Sequence, residues 1–447
     1  MGSEQFRSEH DSMGEVRVPA DALYGAQTQR AVENFALGPQ RFQRPLIRAL
    51  GLVKACASRA NADLGVLPRE LASAIERAAE AIAQDAHYEQ FVVNVFQTGS
   101  GTSTNMNANE VIARLANAHP NDDVNRGQSS NDVIPSAIHI AVAVEVQSGL
   151  IPALEQLGAA LENRATAFWD VMKIGRTHLQ DATPMRLGQE FSGYARQARS
   201  SAERLVAALD GIYELPLGGT AVGTGVNAPP GFAERTIALI AERTGLPFRE
   251  ARNHFEAQAA KDALSFLSGA LKTCAVALTK IANDIRWLGS GPRGGLGEIR
   301  LLELQPGSSI MPGKVNPVIA ESLLMICAQV MGHDAAITWA CASGSFELNV
   351  MMPVIAYDLL DSIELLSAGV RNFTLRCVNG IEANRDKSGA LVEQSLAMAT
   401  ALTPEIGYDR AAAIAKEAFA TGRTVREVAI EKSGLSEQRI TDLLRSD

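Results

Sequence analysis

Cysteine is scarce and poorly spaced for chemistry: Cys56, Cys274, Cys327, Cys341 and Cys377 are odd in number, scattered, and never form a C-x-x-C pair. That argues against a disulfide framework and against a zinc or iron–sulfur site, and for buried thiols in a reducing compartment. Basic charge is in deficit. Lys and Arg number 41 against 50 Asp and Glu, a formal net charge of −9, so attraction to nucleic-acid phosphates or anionic membranes is not expected. Long apolar runs are missing too: stretches such as Ile134 to Val144 and Leu271 to Leu278 fall short of the roughly 20 residues that cross a bilayer. The N-terminal segment lacks the apolar core of a signal peptide and the acid-poor, Arg-rich pattern of a transit peptide. A soluble, cytoplasmic protein is expected, with neither nucleic acid nor membrane as partner.

What is present is apolar and helical. The 447 residues are 46% hydrophobic and 20% charged, enough for a large core and, on length alone, for about three domains. Ala-rich segments with helical spacing recur while strand-type alternation is rare, so the fold class is mainly α. Long helices are expected over Val133 to Ala167, Arg186 to Leu209, Lys261 to Leu288, Pro317 to Ala340 and Val354 to Phe373. Several are apolar on more than one face, as helices buried in a bundle or between subunits are. The expected division is 1–130, an N-terminal mixed but mostly helical domain; 131–384, a central long-helix bundle; and 385–447, a small helical C-terminal domain with amphipathic stretches at Ala411 to Thr421, Thr424 to Lys432 and Ser436 to Leu444.

Polar, Gly-rich segments interrupt the helices, and loops of that kind in a compact helical protein usually carry function. Gly99-Ser-Gly-Thr-Ser-Thr-Asn-Met-Asn107 offers hydroxyls, amides and accessible backbone N–H groups, a neutral anion pocket or else a polar cap on a helix that starts just after it. In Gln128-Ser-Ser-Asn-Asp132, four good N-cap residues stand in a row where a cap needs one; the surplus suits a second anion-binding position. His178, in Gly175-Arg-Thr-His-Leu-Gln-Asp181, is a candidate general acid or base that needs a carboxylate partner, or else a structural histidine. The segment Gly307-Ser-Ser-Ile-Met-Pro-Gly-Lys-Val-Asn-Pro317, preceded by Gly291-Pro-Arg-Gly-Gly-Leu-Gly297, reads as a flap presenting Ser308, Ser309, Lys314 and Asn316. A serine hydroxyl serves as a base only if N–H groups or a cation are aimed at its oxygen. Glu321, at the start of the next helix, is the candidate partner for His178. The glycines of Gly218-Gly-Thr-Ala-Val-Gly-Thr-Gly225 have the wrong spacing for a dinucleotide fingerprint, and the segment is read as a loop near the active site.

These segments together resemble the fumarase/aspartase superfamily. GSSIMPGKVNP at 307–317 is similar to its signature, and SGTSTNMNANE, HPNDDVN, SSNDVIPSAIHIA, GRTHLQDATPMRLGQE and FELNVMMPVIAY resemble further family segments in order, over nearly the whole chain. Asn253-His-Phe-Glu-Ala257 and Gly313 are closer to class II fumarases than to aspartases, which leaves aspartate ammonia-lyase as the alternative. A catalytically dead relative is disfavoured, because Ser308, Lys314, His178 and Glu321 are all kept.

The resemblance implies a three-domain helical subunit that forms a homotetramer, with each active site built from loops of three subunits. It implies reversible hydration of fumarate to (S)-malate, a tricarboxylic acid cycle step, by anti addition through an aci-carboxylate, with no cofactor and no metal. By the same resemblance, Ser100, Thr102, Ser129, Ser130, Asn131, Thr177, Lys314 and Asn316 bind the C4 dicarboxylate. His178 with Glu321 handles the water, and Ser308 takes the C3 proton of malate. An accessory dicarboxylate site in some relatives corresponds to His119, Asn121 and Asp122, but Ala116 stands where that pattern has an arginine; a capping role for His119 is the alternative.

Overall fold

The structure is a computed structural model, and it describes residues 5–444. It is mainly helical, with strands confined to five two-stranded sheets among the described residues. The chain divides into two compact units: one takes the chain up to Pro152 with Ala202–Ala275 and Cys327–Ser367, the other Ala153–Ser201, Val276–Ile326 and the chain from Ala368 on.

The five expected long helices form. The first is a continuous run of Ser130–Glu145, a π-helical turn Val146–Leu150 and Ile151–Ala167; the others are Leu187–Ile212, Asp262–Leu288, Val318–Cys341 and Met352–Arg376. The apolar-run expectation needs correction here. Ser130–Ala167, Asp262–Leu288 and Val318–Cys341 are long and apolar enough to cross a membrane by length and composition, each holding an 18-residue window with a mean hydropathy of 1.5, 1.3 and 1.2 respectively. Scattered Ser, Thr and Gly residues break the uninterrupted runs in the sequence without making these helices polar. Within the chain 67%, 56% and 39% of the three apolar windows is buried, and the third leaves Met325 and Trp339 exposed.

In the first unit, Arg44–Asp63 packs against Arg69–Ala83, Ser130–Glu145 and Phe232–Thr244. The approach is close because small residues line it: Ala55, Ala57 and Ala60 are fully buried, and a Cβ on Gly51 would lie 2.6 Å from the Ala83 nitrogen. The short Ala26–Asn34 helix is capped from a distance, as the Glu110 carboxylate accepts the N–H groups of Gly25, Gln27 and Thr28, satisfying donors a helix start leaves free.

In the second unit, the helices Tyr408–Thr421, Val425–Lys432 and Glu437–Leu443 follow the expected C-terminal stretches, two of them capped by Thr424 and Ser436. Leu402, Ile414, Val428 and Ile440 share an apolar cluster with Ile174.

Candidate active site

Two of the polar segments meet in the first unit. The helix expected just after Gly99–Asn107 starts inside that segment, at Thr102, with Gly101 as N-cap in the left-handed region at φ +73°. Asparagine is an indifferent helix former, but here its amides have partners: Asn105 and Asn109 donate to Asn125 Oδ1, and Asn107 donates to the Gln90 carbonyl. Gly99 is required for space, since a Cβ would lie 1.8 Å from the Val350 carbonyl oxygen. Ser100 Oγ lies 2.7 Å from Thr102 Oγ1, which lies 2.7 Å from Ser130 Oγ, the first residue of the Ser130–Glu145 helix. Three hydroxyls thus form a chain at two adjoining helix starts, where N–H groups and helix dipoles favour an anion.

The surplus of capping residues at 129–132 divides its work. Ser129 and Asp132 form a reciprocal capping box, and the second Asp132 oxygen accepts the N–H groups of Gly218 and Thr220 at 2.9 Å. Asn131 donates to the Ala221 carbonyl at 2.8 Å. The Gly218 to Gly225 segment is therefore fastened to Asn131 and Asp132.

The other segments lie in the second unit. His178 is at the tip of a hairpin formed by Met172–Thr177 and Gln180–Arg186. Thr177 pairs with Gln180, and His178 and Leu179 form the two-residue turn with φ +55° and +60°. Such turns normally use Asn or Gly, so His-Leu carries strain of the kind held at functional sites. The imidazole is exposed, and no hydrogen bond or ion pair joins His178 to Glu321 within the chain among the described residues.

The flap is closed on itself. Gly307 N–H donates to the Lys314 carbonyl and Asn316 Nδ2 to the Gly307 carbonyl, both at 2.8 Å. Ser308 Oγ accepts the N–H groups of Ile310 at 3.2 Å and Met311 at 3.0 Å. Lys314, Asn316 and Glu321 line a cleft of about 1180 Å³ together with Arg286, Arg300 and Asn384. Glu321 sits in the first turn of Val318–Cys341, where the helix dipole favours a carboxylate.

The family model described as Lyase matches residues 14–332, and one described as fumarase C C-terminus matches residues 398–447. Fumarate hydratase class II of Mycobacterium tuberculosis is 54% identical over 98% of this chain and 94% of its own length. The protein of that name from Methylorubrum extorquens is 52% identical over 100% and 97%. Class II fumarase of Schistosoma mansoni superposes with a TM-score of 0.96 at 39% identity, covering 99% of this chain and 98% of its own. The fumarate lyase:delta crystallin of Brucella melitensis does so with a TM-score of 0.95 at 47% identity, covering 98% of each chain. The chain belongs to the class II fumarate hydratase family.

As a class II fumarate hydratase it is a hydro-lyase acting on a small dicarboxylate, and the aspartase alternative is not favoured. Sequence reasoning overlooked one group in this hydratase. Lys54 is fully buried, donates to Asn125 Oδ1 at 2.9 Å and Gln128 Oε1 at 3.0 Å, and so braces the turn that leads into Ser129. Burial pushes its ammonium down to about 7 against the opposing pull of Asp132. A lysine inside the Ala-rich Gly-Leu-Val-Lys-Ala-Cys-Ala run was the available signal.

At the candidate accessory position of the hydratase, His119 caps the π-helical turn Pro120–Val124: its Nδ1 accepts the Asp122 N–H at 3.0 Å, and its own N–H donates to Asp123. Asn121 beside it is exposed. Four of the five cysteines are buried, and burial pushes Cys56, Cys341 and Cys377 up to about 12.

Proposed function

We propose that Ser100, Thr102, Ser129, Ser130, Asn131, Thr177, Lys314 and Asn316 hold the two carboxylates of fumarate or malate. Ser308 takes the C3 proton of malate, and His178 with Glu321 delivers the proton that lets hydroxide leave C2; addition to fumarate runs the same steps backwards. Losing a proton beside a carboxylate builds an aci-carboxylate with extra negative charge, which the surrounding donors stabilise more than they stabilise the ground state. The observation that carries this reading is the Ser308 hydroxyl, whose oxygen receives two backbone N–H groups. Such donors favour the anionic form of the acceptor, as a serine base requires.

The assembly we propose is a homotetramer with sites shared by three subunits, in the cytoplasm, with His178 of one subunit meeting Glu321 of another. Its support is the Val318–Cys341 helix, whose outward face carries Met325 and Trp339 at 67% and 72% exposure. The division at 1–130, 131–384 and 385–447 is proposed as the domain organisation, with the C-terminal run of short helices Tyr408–Thr421, Val425–Lys432 and Glu437–Leu443 in its favour.

The test is the loss of fumarate absorbance with purified enzyme, without and with ammonium, for the native chain and Ser308→Ala. Native turnover to malate without ammonium, together with a fall in kcat of about two to four orders of magnitude at similar KM, supports the assignment. Near-normal turnover in Ser308→Ala removes that serine as the base.

A further inference from the structure

The second unit holds a buried group of charges that the steps above do not use. Arg176 donates to Glu298 Oε2 at 2.7 Å, and Lys173 Nζ lies 3.9 Å from the same oxygen and 3.2 Å from Glu190 Oε1. The side chains of Glu298 and Lys173 are 0% and 1% exposed. The pair joins two elements that matter for different reasons. Arg176 is two residues before His178 on the hairpin, and Glu298 is where the chain leaving Gly291–Gly297 rejoins fixed structure, ten residues before Ser308.

That root is tied down on the Glu298 side. Glu298 N–H donates to the Leu288 carbonyl, Asn384 N–H donates to the Glu298 carbonyl, and Ile299–Arg300 pairs with Glu382–Ala383.

The strand is built to make this contact. Residues three apart on a regular strand point to opposite faces, yet Lys173 and Arg176 both reach Glu298. A register shift between Ile174 and Arg176 accounts for it, the kind of bulge that re-aims a side chain. Gly175 permits the bulge, because a Cβ there would lie 2.8 Å from the Thr183 carbonyl oxygen.

The group is expensive for a stabilising device. Glu298 Oε1 and Glu190 Oε2 are buried without a hydrogen-bond partner, and a buried ion pair seldom outperforms apolar packing. Its value lies in fixing geometry. We propose that Arg176 and Glu298 are positioning residues, a buried tie that sets the His178 hairpin against the root of the Ser308 flap. The proposal rests on the assignment of His178 and Ser308 above.

The experiment compares native enzyme with Glu298→Gln, Arg176→Lys and Gly175→Ala by steady-state kinetics and by hydrogen exchange. Gly175→Ala keeps both charges and disturbs only the bulge, so it carries the test if the charge variants fail to fold. The expected result is a fall in kcat of about tenfold or more with KM within about threefold, smallest in Arg176→Lys. Faster exchange is expected in both 172–181 and 290–298 and nowhere else.

Native kcat in Glu298→Gln and Gly175→Ala, faster exchange in one segment only, or faster exchange throughout the chain each overturns the tie. Ser308→Ala and His178→Asn are assayed alongside. Normal turnover in those two removes the assignment on which the proposal rests, whereas the exchange pattern judges the tie separately.

Discussion

The hydroxyls of Thr102 and Ser130 lie 2.7 Å apart, and each belongs to the first residue of a helix. The starts of two helices 28 residues apart in sequence therefore share one hydrogen bond. A carboxylate at this corner would find hydroxyl and backbone donors from both helices at once. Thr102→Val keeps the shape and removes the middle hydroxyl of the chain. A hydrogen bond to a charged group contributes about 1.5–3 kcal/mol, so KM for fumarate should rise about tenfold to a hundredfold with kcat changed far less. Steady-state kinetics checks this, and an unchanged KM would take Thr102 out of the substrate pocket.

His178 and Glu321 are expected to act as one unit. Each of His178→Asn and Glu321→Gln should impair the same proton step, and the double variant should be little worse than the poorer single one, because residues acting together are strongly non-additive. Kinetic measurement of the four proteins closes the cycle. Rate losses that multiply would mean that the two side chains work independently.

The helices were readable because the sequence states their burial: Ala, Gly and Leu occupy positions where an exposed helix carries Lys and Glu, and the observed bounds Asp262–Leu288 and Val318–Cys341 follow the expected ones closely. The start of the Thr102–Ala116 helix was not readable, because its asparagines look like loop residues until the partners on Asn125 and Gln90 are known. The hairpin was hidden for a similar reason. His178-Leu179 lacks the Asn-Gly signal of a tight turn, and only the φ values of +55° and +60° reveal one. Lys54 and the Arg176–Glu298 pair bring together residues 71 and 122 positions apart, separations that helical or strand spacing does not encode. The polar segments themselves stood out, since their hydroxyls and amides exceed what capping needs.

His139 predicts part of the acid response. It is buried, with Nδ1 at 3.0 Å from the Ile212 carbonyl oxygen and 2.9 Å from that of Glu214, and burial, reinforced by the Lys261 ammonium, lowers its pKa from 6.5 to about 4. Between those values the unfolded chain holds a proton on this residue that the folded chain does not, so unfolding free energy rises with pH across that window. Stability is lost as pH falls from 6.5 towards 4, by an amount on the order of 3 kcal/mol. Denaturant titrations at several pH values should give a shallower acid slope for His139→Gln than for the native chain; equal slopes would exclude His139 as the source.

The outward face of Val318–Cys341 makes the assembly testable. Met325, Ala328, Gln329, Gly332, Ala335, Ala336 and Trp339 are exposed at helical spacing on a helix whose apolar window has a mean hydropathy of 1.2, a stripe of small and apolar residues that lets a second helix approach closely. An isolated subunit would leave this face in water, whereas a copy packed against it would bury it. Ala335→Glu places a carboxylate in the middle of the stripe, and burying an unpaired charge is costly enough to separate subunits. Mass photometry should then give species below four times 47.6 kDa, and under the proposed assembly, in which each site draws on several subunits, hydratase activity should fall in step with the largest species. A folded Ala335→Glu subunit that turns over fumarate at the native rate would show that one chain holds a whole active site.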